Sequence, residues 1–388
     1  GSPTKVFIET KDANVLLLTN YREDNQRSML RYGNLVRSEL CDDRIKIEEI
    51  HPKPYIQKLC PGAKWRKWGG YLDKYFLFPK TLSRLLKKKF NSVDLIHVVD
   101  HSNSVYFSKI PNQCTAKKLI TCHDLIAIRT AQGEFPQAPR TSTSGKRLQR
   151  WIKQSLELAD FYACVSSETE KELNRVIPGS KGHSKVIHNG VEQGNHAASP
   201  KNSANIPFNP SETPYLLHVG SSAWYKNRTG VFRAFKSFCE QADNSLFKMV
   251  FVGPEIQVGE AEKEERNWIM QNKHRVIALP YVTETELHLL YRHTKTFLFP
   301  SFVEGFGWPP IEASVRGCNV VTSKTGAISD ILGDSATYVD PTKQEEINQA
   351  LLHALSTTSP SRRAKIPTAK EFAKGYANLY LGMIKNGF

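Results

Sequence analysis

The sequence predicts an α/β protein of two domains, each carrying a mostly parallel sheet. Three observations predict it. At 388 residues the chain exceeds one ordinary core. Strand-like apolar runs alternate with helix-like stretches, break at a segment rich in Asn, Ser and Pro, and then start again. Hydrophobic content of 40% and charged content of 23% are those of a soluble globular chain, and no apolar run reaches bilayer-spanning length.

In chain order, Gly1, Ser2 and Pro3 have the look of an expression remnant, and no signal peptide is expected after them. The first set of strands is VLLLTNY from Val15, VDLIHVV from Val93, KLITCHDL from Lys118, FYACVS from Phe161 and KVIHNGV from Lys185. The stretch from Gly194 to Pro214 is the break. The second set is YLLHVG from Tyr215, FKMVFVG from Phe247, RVIALPYV from Arg275, TFLFPS from Thr296 and NVVTS from Asn319. The expected domains are therefore 4–195 and 214–365, joined by a linker at 196–213, with a C-terminal helix at 366–388 that packs back on the first domain. Ligands of such sheets sit beyond the carboxyl ends of the strands, which makes the cleft between the domains the expected site.

The formal charge of +15 calls for an anionic partner or surface. Nucleic acid is not expected, because no RNA- or DNA-binding module is visible and the aromatics are not interleaved with one basic stripe. Cys41, Cys60, Cys114, Cys122, Cys164, Cys239 and Cys318 are odd in number and lack C-x-x-C spacing. That pattern fits reduced thiols in a cytoplasm, with neither a zinc site nor a disulfide frame.

Four loops leave strand ends with chemistry on them. TNYREDNQRSM follows the Val15 strand, and the chain contains no G-x-G-x-x-G, so a dehydrogenase-type dinucleotide site is not expected. His123 and Asp124 end another strand; a buried core histidine is the plain reading, whereas His-Asp at a strand end favours a site, with Asp124 fixing the loop. Asp100, His101 and Asn103 end a third strand and are candidates to line the cleft. In the second half, Gly220 and Ser221 are followed by Lys226, Asn227 and Arg228 at a helix start, which makes either a diphosphate clamp or a solvated basic turn.

The densest stretch is PSFVEGFGWPPIEASVRGCNVVTS, from Pro300 to Ser323. Pro309 and Pro310 open a helix that Gly317 ends, Glu304 lies in the loop beside Gly305, Phe306 and Gly307, and Glu312 is expected in the first turn. A helix N-terminus favours anions and carboxylates accept sugar hydroxyls, so the pattern suits a ligand with phosphate and polyol parts, such as a nucleotide sugar. The plainer alternative is a surface Glu and a helix Glu with ordinary dipole benefit.

These fragments together resemble the retaining glycosyltransferases of family 4. FPSFVEGFGWPPIEA carries the E-x7-E block, and CHDL, ADFYACVSSETEKEL, SKVIHNGVE, LLHVGSSAWYKN, LPYVTETELHLLYRHTKTFLFPS and ATYVDP agree in order and spacing, from Val93 to Pro341. The resemblance implies the GT-B fold of two Rossmann-like domains facing across a cleft. It also implies transfer of a hexose-type sugar from a nucleotide diphosphate sugar to a glycan or lipid-linked hydroxyl, with retention. By the same resemblance Lys226, with Arg228, would hold the leaving diphosphate, Glu304 the donor sugar and Glu312 the ribose. The N–H groups of Gly305, Phe306 and Gly307 would touch sugar or phosphate, and His123 would stand near donor sugar and acceptor. The chain departs from the family pattern in carrying Ser221 and Tyr225 where Arg is common, Trp308 where Leu is common and Asp330 where Glu is usual. Because no D-x-D occurs, no metal and no cofactor beyond the donor substrate are expected. The competing expectations are an epimerase or phosphorylase on the same fold, and a non-catalytic basic binding module.

The segment from Lys64 to Phe90 mixes aromatic, aliphatic and basic residues. One reading is a pair of ordinary helices packed on the sheet with solvated lysines. The other is an interfacial surface that holds a cytoplasmic protein on anionic lipid.

Overall fold

The computed structural model describes residues 12–24, 26–40, 42–89, 91–192, 203–241, 246–254, 263–357 and 364–386. Its first sheet contains β1 (Ala13–Leu18), β2 (Ile45–Ile50), β3 (Leu95–Val98), β4 (Lys117–Cys122), β5 (Phe161–Cys164) and β6 (Ser184–Val186) in the order β2-β1-β3-β4-β5-β6, every pair parallel. The second contains β7 (Tyr215–Val219), β8 (Lys248–Val252), β9 (Val276–Leu279), β10 (Thr296–Phe299), β11 (Val320–Ser323) and β12 (Thr337–Val339) in the order β12-β11-β10-β7-β8-β9, again parallel. Helices α1 (Arg27–Glu39), α2 (Gly62–Leu72), α3 (Phe78–Lys89), α4 (Ile126–Ala131), α5 (Thr143–Leu156) and α6 (Ser167–Val176) belong to the first half. The second half holds α7 (Arg228–Gln241), α8 (Lys263–Gln271), α9 (Glu284–His293), α10 (Trp308–Val315), α11 (Ile328–Leu332) and α12 (Gln344–Ser356), and α13 (Ala369–Asn386) closes the chain.

Parallel strands covered on both faces are apolar throughout, and β3, β5, β10 and β11 are buried at every residue. The sequence reading missed β2 and β12. The first, IKIEEI, lies at a sheet edge and carries charges on its wet side; the second is only three residues long. Each sheet reverses its order once, between β1 and β3 in the first and between β7 and β10 in the second. The loops after those strands are therefore neighbours, and they are the ones with chemistry on them.

Helix α13 returns to the first half, where Phe372, Tyr376, Tyr380 and Met383 share a core with Val15, Leu17, Tyr32 and Val36. Its polar contacts are equally specific: Tyr376 OH lies 2.8 Å from Thr121 Oγ1 and Tyr380 OH lies 2.6 Å from His97 Nδ1. The expected linker falls partly on 193–202, outside the described residues. From 203 to 213 there is neither helix nor strand, yet the chain is strapped to the second half: Asn205 donates its N–H and its Nδ2 to the Glu286 carboxylate at 3.0 and 2.9 Å, and Ile206 is buried.

The segment after 62 forms α2, a π-helical turn over Asp73–Leu77 and α3. Helix α3 packs through Phe78, Leu82 and Leu86 and α2 through Gly69 and Gly70, while Trp65 and Trp68 of α2 and Phe76 of the turn stand in solvent. The six described cysteines, Cys60, Cys114, Cys122, Cys164, Cys239 and Cys318, are free thiols, while Cys41 lies outside the described residues. Among the described residues no helix is long and apolar enough to cross a membrane.

Candidate active site

The reversal of the second sheet sets the loop after β7 beside the loop after β10, and the two loops meet through an ion pair. Lys226 Nζ lies 2.7 Å from Glu304 Oε1, with side chains 14% and 8% exposed. Glu304 is held from behind, since its N–H donates to Thr325 Oγ1 at 2.9 Å. Beneath the Lys226 turn His218 donates its Nδ1–H to Leu298 O at 2.8 Å; burial pushes its imidazole down to about 3 against the upward pull of that hydrogen bond, and the charges of Arg228 and Lys226 add smaller downward pulls. It is a neutral floor. Ser221 stays at the exposed lip, where its Oγ takes the Ala223 N–H at 3.4 Å.

Arg228 does not join Lys226. Asn227, at φ 51, turns the chain between them and anchors the turn by donating Nδ2 to Pro300 O at 3.0 Å. Arg228 then opens α7 with its guanidinium buried, Nη2 donating to Pro254 O and Nε without a partner among the described residues, and burial lowers its pKa. The expected two-cation clamp is thus split. Residues of this turn line a cavity of about 460 Å³ together with Gln137 of the first half and Arg233 and Phe302 of the second, which is the size of a small-molecule site.

After β10 the chain reaches Gly305, where a Cβ would overlap the carbonyl oxygen of His123, and Gly307, which caps α10 at φ 92. Both positions need glycine, the first for closeness to the opposite half and the second for its left-handed backbone. Phe306 turns its ring into the core against Trp308, with centroids 4.9 Å apart. Helix α10 begins at Trp308, ahead of both prolines, because a proline costs nothing where the N–H has no intrahelical partner. Glu312 therefore sits in the second turn, not the first as expected, and faces the other half of the molecule. There Arg31 of α1 donates Nη1 to Glu312 Oε1 at 2.6 Å, and its guanidinium carbon stands 4.2 Å over the Trp308 ring.

The reversal of the first sheet brings the loops after β1 and β3 together. Asn20 Nδ2 donates to Asp100 Oδ2 at 2.7 Å, and Asp100 Oδ1 takes the Ser102 N–H at 2.9 Å at the start of a 3₁₀ helix, His101–Lys109. Burial alone would raise the Asp100 carboxyl, but nearby His101 and His123 and the hydrogen bonds from Ser102 and Asn20 outweigh it and hold it low. His101 Nδ1 lies 3.5 Å from Asp100, and Asn103 is buried beside them. His123 donates Nε2–H to Val99 O at 2.6 Å, with the Tyr32 ring edge-on at 4.5 Å. Burial lowers its pKa, against a smaller upward pull from Asp100, and the ring is neutral near pH 7. Asp124 Oδ1 accepts the Ile126 N–H at 2.9 Å and fixes the loop ahead of α4.

The two walls are in contact. Between Asp124, Arg129, Glu168 and Glu304 the free space is small, about 10 Å³. Glu168 of α6 bridges them: its Oε2 takes the Gly326 N–H and the Thr325 hydroxyl, the latter at 3.0 Å, and burial raises its pKa against those bonds. Asp330 bridges them too, accepting Ser167 N–H at 3.1 Å with His188 Nε2 at 3.4 Å. The sequence reading missed Arg31, Glu168, Asn20 and Tyr32. A glutamate just inside a helix N-terminus is ordinary dipole chemistry, and Arg31 belongs to no motif, 281 positions before its partner.

Two family models match this chain. Residues 51–193 match "Glycosyltransferase Family 4" and residues 200–372 match "Glycosyl transferases group 1". The O-antigen chain mannosyltransferase B of Escherichia coli is 37% identical over 151 residues, covering 37% of this chain and 38% of that protein. The O-antigen chain mannosyltransferase RfbU of Salmonella typhimurium is 33% identical over 82 residues, 21% of this chain and 23% of that protein. The matched segments thus span well under half of either relative. Sucrose-phosphate synthase from Thermosynechococcus elongatus shares the GT-B architecture, with a TM-score of 0.65 over 96% of this chain and 97% of that one at 17% identity.

Proposed function

The chain belongs to the family 4 glycosyltransferases, and from that premise we propose that it transfers a hexose with retention from a nucleotide diphosphate sugar to a hydroxyl of a glycan or lipid-linked saccharide. Mannose is the first donor sugar to test, since both curated relatives quoted above are named for it. The observation that carries the reading is the Lys226–Glu304 pair at 2.7 Å beside Gly305 and Gly307, facing the His123 loop. Breaking the bond from sugar C1 to phosphate oxygen leaves positive charge on the sugar and negative charge on the departing diphosphate. Lys226 stabilises the second, Glu304 orients the sugar hydroxyls, and Glu312 takes the ribose hydroxyls once it is free. The acceptor attacks from the side the diphosphate leaves, along the wall of His123, Asp100, His101 and Asn103. Because charge on the leaving group is met by Lys226 and backbone N–H groups, the reaction as proposed uses no metal ion.

The test is thermal stabilisation of the protein by UDP-, GDP- and ADP-linked hexoses, followed by slow hydrolysis of the one that stabilises most, with and without excess EDTA. One donor should stabilise and be hydrolysed in EDTA. If none does, the transfer reading falls; if magnesium restores a lost activity, the metal-free step falls.

A membrane-held acceptor is supported by the exposed rings of Trp65, Trp68 and Phe76, at 64, 62 and 52%, set among Lys64, Arg66, Lys67 and Lys80. Lys80 Nζ stands 3.9 Å over the Phe76 ring, so a basic and an apolar group lie side by side there, as interfacial binding requires. The native chain should co-sediment with anionic vesicles at low salt and be released at high salt, and Trp65→Ser with Trp68→Ser should abolish the association. Indifference of the native chain to anionic vesicles would leave a soluble acceptor.

A further inference from the structure

A bound diphosphate carries about two negative charges, and the loop after β7 turns only one cation toward Glu304. That cation is Lys226, since the Arg228 guanidinium is buried against Pro254 O. The opposite wall supplies another. Arg31 lies on α1, which follows the carboxyl end of β1, and it reaches across to the second half to meet Glu312. Its stacking partner Trp308 is the first residue of α10, so the guanidinium stands beside the helix end that holds Gly305, Phe306 and Gly307. The arrangement repeats the one at Glu304: a carboxylate suited to hydroxyls is held at 2.6 Å by a cation suited to phosphate, as the other is held at 2.7 Å. Hydroxyls that take the carboxylates release both cations into a site containing a diphosphate.

We infer that Arg31 is a ligand of the donor's diphosphate, exchanging Glu312 for phosphate oxygens as the donor enters. This rests on the glycosyl-transfer reading above. The guanidinium suits the exchange because its planar fork pairs with two phosphate oxygens, and stacking on Trp308 limits its freedom while it changes partner. With 40% of its side chain exposed, Arg31 is also free to move without unfolding anything. The contact with Glu312 is then the resting state of a binding residue. A latch that merely closed the cleft would compete with every nucleotide alike.

The experiment is calorimetric titration of the native protein with UDP, GDP and ADP, then with the monophosphate and nucleoside of whichever binds best, repeated for Arg31→Gln and Arg31→Lys. Arg31→Gln should weaken the diphosphate about tenfold or more, the monophosphate less, and leave the nucleoside unchanged or tighter, because Glu312 is released. Arg31→Lys should recover part of the diphosphate affinity. A loss no greater for diphosphate than for monophosphate, or a uniform gain for all three ligands, overturns the assignment and leaves a latch. Native protein that binds none of the three diphosphates overturns the transfer reading itself, whereas native binding with an unselective Arg31→Gln overturns only the role of Arg31. Melting midpoints of the variants equal to that of the native chain show that affinity, not folding, has been read.

Discussion

Glu304 and Glu312 belong to one strand-loop-helix unit, and each ends on a cation, but the two pairs are physically unlike. Glu304 meets a lysine of its own half, both side chains are nearly buried, and its backbone is fastened to Thr325. Removing one member of such a pair leaves a buried charge, which costs about 3–5 kcal/mol. Glu312, 12% exposed, meets an arginine of the other half that is 40% exposed, so this pair is wetter on one side and more open to screening by salt. The difference teaches what each can do. The first pair lies wholly within the second half, whereas the second spans the two halves and is the one proposed to exchange partners when a donor enters.

The largest effect should come from breaking the first pair: Lys226→Ala should lower turnover by about two orders of magnitude or more and weaken donor binding far less, because charge on the leaving group grows in the transition state. Steady-state kinetics with the donor found above decides it, and unchanged turnover would remove Lys226 from the chemistry. Next in size, the two carboxylates should separate by parameter. Glu304→Gln should slow transfer about tenfold or more with little change in free-nucleotide affinity, while Glu312→Gln should weaken the nucleotide about tenfold. Equal losses of nucleotide affinity would erase the contrast.

The smallest effect concerns the walls behind both pairs. Burial holds His218 in the second half and His97 in the first down at about 3, and it lowers His123 as well. These histidines are neutral when folded and gain protons on unfolding below their ordinary value near 6.5, so stability is full above that pH and falls as the pH drops toward 3. Between pH 7 and pH 6 the loss should be about 0.5–1 kcal/mol for each of His97 and His218. Denaturant melts at the two pH values measure it; a flat profile would mean that the buried rings find partners for a second proton.

The sequence by itself determined the two-sheet α/β architecture, because fully buried parallel strands must be apolar runs and their loops must be punctuated by Gly, Pro and Asn. It also determined the local units, His123 with Asp124 at a strand end and Glu304 with its glycines ahead of α10, since each lies within a few residues of backbone. It did not show β2, whose charged edge hides the strand pattern, nor that Glu312 would fall one turn deeper once the helix began before its prolines. Tertiary structure alone decided which cations meet which carboxylates. Lys226 reaches Glu304 because the sheet order sets β7 beside β10, while Arg228, beyond the left-handed Asn227, meets Pro254 O instead. Arg31 reaches Glu312, and Glu168 reaches Gly326, across a cleft that closes on spans of 281 and 158 residues. Local pattern records only what the chain does over a turn or a strand. Contacts at that distance depend on where two independently folded sheets come to rest against each other.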